Sequence, residues 1–163
     1  MSHSGLQLLR PDEAVKEAAG DFRPSRPRLV LVEDEAAIRD SLGEALQEEG
    51  FEVVAAANGR EALDILRNSP RASAILLDLM MPVMDGWDFR HEQLNDPSLR
   101  DIPVLVVSAS GFSTETIRMQ FGDVELIRKP VALFELLEAL GRICVPAASA
   151  ARATARLGAR RVE

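Results

Sequence analysis

The chain predicts an α/β fold: an open parallel sheet with helices on both faces. Three observations carry this. Between residues 28 and 145, five short apolar runs alternate with five segments of helical periodicity. The first, third and fourth runs are apolar throughout, the pattern of strands covered on both faces. Five successive strand–helix units imply parallel strands joined by right-handed crossovers.

The elements follow in order. Leu29-Val-Leu-Val32 is the first strand. Ala36 to Glu49 follows as a helix, with Ile38, Leu42, Ala45 and Leu46 on one face and Gly50 as its stop. Phe51-Glu-Val-Val-Ala55 is the second strand, and Asn58 can cap the helix that carries Ala62, Leu63, Ile65 and Leu66. Ala74-Ile-Leu-Leu77 is the third strand, and Asp85 to Leu94 the third helix. Val104-Leu-Val-Val107 is the fourth strand, followed by a short helix from Thr114 to Phe121. Val124-Glu-Leu-Ile127 and a last helix from Val131 to Ile143 complete the pattern.

The flanks differ. Residues 1–27 form an N-terminal extension, in which Pro11 to Gly20 reads as a short helix with proline at its start and glycine at its stop. Phe22-Arg-Pro-Ser-Arg-Pro-Arg28 reads as a linker. Residues 146–163 are rich in Ala and Arg with few large apolar side chains, the composition of a flexible tail. One domain, residues 28–145, is therefore expected between them.

Composition narrows the function. Hydrophobic residues make up 47% of the 163, enough for one sizeable core. No apolar run reaches the ~20 residues of a membrane span, and Met1 to Arg10 lacks the apolar core of a secretory signal. The single cysteine, Cys144, cannot form an internal disulfide, and the two histidines make no zinc spacing with it. These features fit a cytoplasmic protein. Net charge is −7 overall, but residues 28–145 carry 11 basic and 21 acidic side chains. Direct nucleic-acid binding by the domain is not expected, and a cation site is more natural there. The basic tail is the one patch that sequence offers to an anionic partner.

In an open parallel sheet the functional crevice lies beyond the carboxyl ends of the strands. Here those ends read Glu33-Asp34, Ala56-Ala57, Asp78, Ser108-Ala109 and Arg128-Lys129. Three carboxylates brought to one edge repel one another unless a cation sits among them, and all-oxygen ligands suit Mg²⁺. A lysine and a hydroxyl beside them suit the remaining oxygens of a phosphoryl group. An Asp carboxylate can itself be the nucleophile, giving an acyl-phosphate. Taken singly, each of these residues has a plainer role, as a solvated loop acid, a helix cap or a surface charge. Their joint placement at the strand ends of one sheet is what carries the reading.

The motifs Val32-Glu-Asp-Glu35, Leu77-Asp-Leu-Met-Met-Pro-Val-Met-Asp-Gly86, Val107-Ser-Ala109 and Lys129-Pro130, in this order, resemble the CheY-like receiver domain of two-component response regulators. The resemblance implies a flavodoxin-like, doubly wound sheet of five strands in the order 2-1-3-4-5 with five helices. It implies Asp78 as phosphoacceptor, with Ser108 and Lys129 contacting the phosphoryl group. Glu33, Asp34, Asp78 and the Met80 backbone carbonyl would hold Mg²⁺. Ala109 would be the small residue beside the switch hydroxyl. Met80 and Ser110 would tune the lifetime of the phosphorylated state; neither can orient a water as an acid or amide would, so slow decay is expected. Pro130 is expected to follow a cis peptide bond, and Pro82 and Gly86 to shape the loop after the third strand. Three departures stand out. Leu126 replaces the usual aromatic switch, Gly122-Asp123 replaces Gly-Ala, and the stretch from Ser108 to Lys129 is about one residue short, which predicts an abbreviated fourth helix.

The function so implied is that of a stand-alone phosphoacceptor response regulator. It takes phosphate from a histidine kinase or phosphotransfer protein and binds a downstream protein on the face formed by helix 4, strand 5 and helix 5. It would not be an enzyme beyond its own phosphorylation and dephosphorylation. The alternative is a phosphorylation-independent interaction module of the same fold, which Leu126 favours. An aspartate-type phosphatase would want a second acid where Met80 stands, and a dinucleotide enzyme would want G-x-G-x-x-G after the first strand.

Overall fold

The computed structural model describes residues 26–109 and 111–144. The N-terminal segment with the helix expected at 11–20, Ser110, and the tail 146–163 lie outside the described residues. Five strands alternate with five helices: β1 (Arg28–Val32), α1 (Ala36–Glu48), β2 (Glu52–Ala56), α2 (Gly59–Asn68), β3 (Ala74–Asp78), α3 (Gly86–Asn95), β4 (Val104–Ser108), α4 (Thr114–Phe121), β5 (Glu125–Arg128) and α5 (Leu133–Cys144). All pairs are parallel, and the order is β2-β1-β3-β4-β5.

The uninterrupted apolar strands explain themselves in three dimensions. Successive side chains of a strand point to opposite faces. Leu29 and Leu31 of β1 join Leu76, Leu105 and Ile127 in a core completed by Leu46 of α1 and by Leu136 and Leu140 of α5. Val30 and Val32 join Ile75, Leu77 and Val106 in the opposite core, closed by Leu63 of α2, Phe89 of α3, and Ile117 and Phe121 of α4. β3 and β4 are buried at every residue, as expected for central strands.

Local signals set the boundaries. Gly50 ends α1 with φ +97°, a backbone state in which glycine avoids the steric penalty of a Cβ. Asn58 caps α2 as expected: its Oδ1 accepts from the Glu61 N–H at 3.0 Å, while the Ala57 N–H donates to Glu61 Oε2 at 2.8 Å. Asp85 caps α3 by accepting from the Asp88 N–H. Ser113 caps α4 in the same way, its hydroxyl accepting from the Thr116 N–H at 3.0 Å. β2 begins at Glu52 rather than Phe51, because Glu52 is the residue that pairs with Arg28. The last helix begins at Leu133 rather than Val131, its first turn closing from the Leu136 N–H to the Ala132 carbonyl. α4, at eight residues, is the shortest described helix, in line with the shortened connection. No described helix is long and apolar enough to cross a membrane.

Candidate functional site

Register brings the chemical groups together. Val32 lies beside Leu77, Asp78 beside Val107, and Ser108 beside Arg128, so β1, β3, β4 and β5 end almost level. The ladder continues past the strands: the Glu33 N–H donates to the Ala56 carbonyl at 3.1 Å, and the Lys129 N–H to the Ser108 carbonyl at 2.9 Å. These bonds fix the backbones from which Glu33 and Lys129 project.

Glu33 and Asp78 are buried, at 3% and 6% exposure, and Asp34 is exposed. Carboxylate oxygens of all three lie within 4.8 Å of one another. The Lys129 ammonium reaches into the cluster, donating to Glu33 Oε2 at 2.9 Å and to Asp78 Oδ2 at 3.1 Å. Its burial pulls the lysine's pKa down, but the hydrogen bonds and charges of Glu33 and Asp78 outweigh that and hold it above its ordinary value. The other Asp78 oxygen, Oδ1, accepts from the Met80 N–H at 3.2 Å. One ammonium among three convergent carboxylates leaves a surplus of negative charge on a partly open rim. That donor set, hard oxygens with one exposed member, fits a divalent ion that keeps part of its water shell.

The remaining sequence-predicted residues sit as follows. Ser108 ends β4 and is buried, but its hydroxyl donates to the Ala109 carbonyl at 2.9 Å. Among the described residues it makes no hydrogen bond to Asp78. Ala109 is exposed beside it. The Met80 side chain is 60% exposed on the rim. Leu126 is half-buried and packs against the α2–α3–α4 core. The Lys129–Pro130 peptide is cis, as expected.

One support has no clear signal in the sequence. Arg39 of α1 donates to the carbonyls of Glu33 at 2.9 Å and Asp34 at 3.2 Å, tying down the acidic pair from behind. Its signal was only an arginine one turn into a helix, which is common. Gly86 was expected to shape the loop, and the structure gives the reason as close approach. A Cβ there would meet the Asp78 carbonyl oxygen at 2.5 Å and Leu79 Cα at 2.8 Å, while the Gly86 N–H donates to the Leu79 carbonyl.

The comparisons with known proteins agree with this geometry. The profile described as response regulator receiver domain matches residues 29–141. The chain is 37% identical over 111 residues to response regulator MprA of Mycolicibacterium vanbaalenii, covering 68% of this chain and 47% of that one. It is 36% identical over 123 residues to the alkaline phosphatase synthesis transcriptional regulatory protein SphR of Synechococcus elongatus, covering 68% and 46%. The chain thus spans about half the length of the curated relatives it matches. Its fold is similar to that of chemotaxis protein CheY4 of Vibrio cholerae, with TM-score 0.66 and 29% identity, covering 73% of this chain and 99% of that one. It is similar also to the receiver domain of a sensor histidine kinase from Pseudomonas aeruginosa, with TM-score 0.67 and 26% identity over 74% and 98% of the chains. That structure has a magnesium ion coordinated in its active-site cleft. A profile match over most of the described residues, on a sheet whose carboxyl edge gathers these motif residues, means that this chain belongs to the response regulator receiver domain family of two-component systems.

Proposed function

We propose that the chain is a Mg²⁺-dependent phosphoacceptor, that Asp78 is the residue modified, and that the modification controls binding of a partner protein. Receiver domains of this family interact with histidine kinases or phosphotransfer proteins, and the phosphoryl donor is taken to be a phosphohistidine of such a protein. The single observation that carries the reading is the buried Asp78 carboxylate, shared by the Lys129 ammonium with Glu33 and lying within 4.8 Å of Asp34.

The residues divide the work. An Asp78 oxygen attacks phosphorus, the P–N bond of the donor breaks, and the imidazole leaves with the bonding pair. Glu33, Asp34, Asp78 and the Met80 backbone carbonyl would hold Mg²⁺. Bound there, the ion would offset the charge of the phosphoryl oxygens and the repulsion among the acids. Lys129 is already at the Asp78 carboxylate and needs only a small shift to meet the added charge. Ser108 turns its hydroxyl from the Ala109 carbonyl toward the phosphoryl group. Met80 and Ser110 supply neither acid nor amide to orient an attacking water, so the acyl-phosphate decays slowly. The partner docks on the α4–β5–α5 face, with Leu126 as a packed rather than a rotating switch. The complete acid–lysine set favours this over a phosphorylation-independent module.

Intact-mass measurement with acetyl phosphate as donor tests the metal requirement. Modification should need Mg²⁺, stop with a chelator, and be lost in Asp34→Ala. After the donor is removed, Met80→Asn should shorten the lifetime of the modified protein. Full modification of Asp34→Ala would refute the metal assignment, and an unchanged lifetime in Met80→Asn the tuning role.

A further inference from the structure

The acidic balance of the domain hides a basic cleft. A hollow of about 610 Å³ runs along the free edge of β5 and is lined by Arg90 of α3, Arg100, Arg118 of α4 and Arg128 of β5. Among the described residues none of these four is ion-paired with a carboxylate. Arg90 and Arg128 are half-buried and satisfied only by neutral groups. Arg90 donates to Gln93 Oε1 and to the Phe121 carbonyl, each at 2.8 Å, and its guanidinium lies 6.0 Å from the centre of the Phe121 ring. Arg128 donates to the Phe112 carbonyl at 2.6 Å. Arg90 Nε and Arg128 Nη1 are buried without a hydrogen-bond partner. Burial also pulls the Arg90 pKa below its ordinary value. Three acids line the same cleft, but Glu125 is engaged by Arg142 through bonds of 2.9 and 3.1 Å. Asp101 and Asp123 are left to face four arginines.

We infer that this cleft binds an acidic segment of a partner protein, with carboxylates on the arginines and apolar side chains against Val124, Leu126 and Ile143. The inference deepens the output-face reading and rests on it. The charge of Arg90 and Arg128 is left uncompensated, and the exposed guanidinium groups of Arg100 and Arg118, unpaired among the described residues, are free to give a carboxylate two N–H groups at once. The apolar patches between the arginines suit a mixed acidic and apolar peptide. They do not suit a phosphodiester backbone, which Asp101, Asp123 and the domain's overall acidity would repel.

The test titrates the ¹⁵N-labelled full chain with a short Glu/Leu/Gly peptide, its Lys/Leu/Gly counterpart and an oligothymidylate of equal charge. The acidic peptide should shift the amides of Thr114, Arg118, Leu126 and Arg128, and bind more weakly as salt is raised. Arg100→Gln with Arg118→Gln changes two exposed side chains outside both cores and should weaken binding about tenfold. Absence of binding, equal binding of the lysine peptide, or unchanged affinity in the double variant would overturn the inference. Tighter binding of the oligothymidylate would overturn it in favour of nucleic acid. Modification of Asp78 is read by mass in the same samples. Its failure while the peptide still binds counts against the phosphoacceptor reading alone, and lost binding with modification intact counts against the cleft alone.

Discussion

Val83 is 84% exposed in the loop after β3 and holds φ at +71°, where a β-branched side chain is strained. Asparagine adopts this state more readily and avoids the unfolded-state entropy of glycine. Val83→Asn should therefore raise stability by about 1 kcal/mol, read as a higher denaturation midpoint. An unchanged or lower midpoint would show that the loop carries no strain there. Cys144 gives a second test, one of pH. Burial pushes its thiol from 9.0 up to about 11. A folded pKa above the unfolded one means that the stability held by the neutral thiol is complete below the unfolded value and is lost as pH rises toward 11. Alkylation at pH 8 should accordingly be on the order of a hundredfold slower in the native protein than in denaturant. Equal rates would contradict the burial. At this scale the reactive residues were legible because receiver-like motifs mark them: Glu33, Asp34, Asp78, Ser108 and Lys129 all stand at the predicted strand ends. What was not legible was orientation. Lys129 spans two carboxylates, Ser108 faces a carbonyl and Arg39 braces the acidic pair, and no spacing in the sequence encodes a rotamer.

At the scale of elements, strands and helices were readable because periodicity and caps agree, as at Asn58 and Asp85. Boundaries moved by a residue or two at β2 and α5, where strand pairing and the first closed turn decide. The arginine cleft could not be read at all. Its four members are separated by ten or more residues in the chain, and only the packing of α3, α4 and β5 gathers them. Leu126 tests how β5 works. It packs against the core and has no polar tip to exchange between buried and exposed states. Leu126→Ala should cost about 1–2 kcal/mol of stability, less than a fully buried leucine, while partner binding still responds to phosphorylation. A folded Leu126→Ala variant that has lost that response would make the leucine a switch.

For the molecule as a whole, the sheet is a device for convergence. Five segments scattered from Glu33 to Lys129 meet at one edge because parallel strands with level ends deliver their following residues to the same place. Neither composition nor charge reveals that edge; the order of the strands does. The central proposal is that this edge makes one nucleophile out of several acids: Glu33 and Asp78 are both buried and bonded to Lys129, but Asp78 alone of the three acids stands on the central strand, β3. The most direct measurement is intact mass with peptide mapping after incubation with Mg²⁺ and acetyl phosphate. The account predicts a single added phosphoryl group, located on Asp78 and absent from Asp78→Asn. Undiminished modification of Asp78→Asn, or a phosphoryl group mapped to another residue, would contradict it.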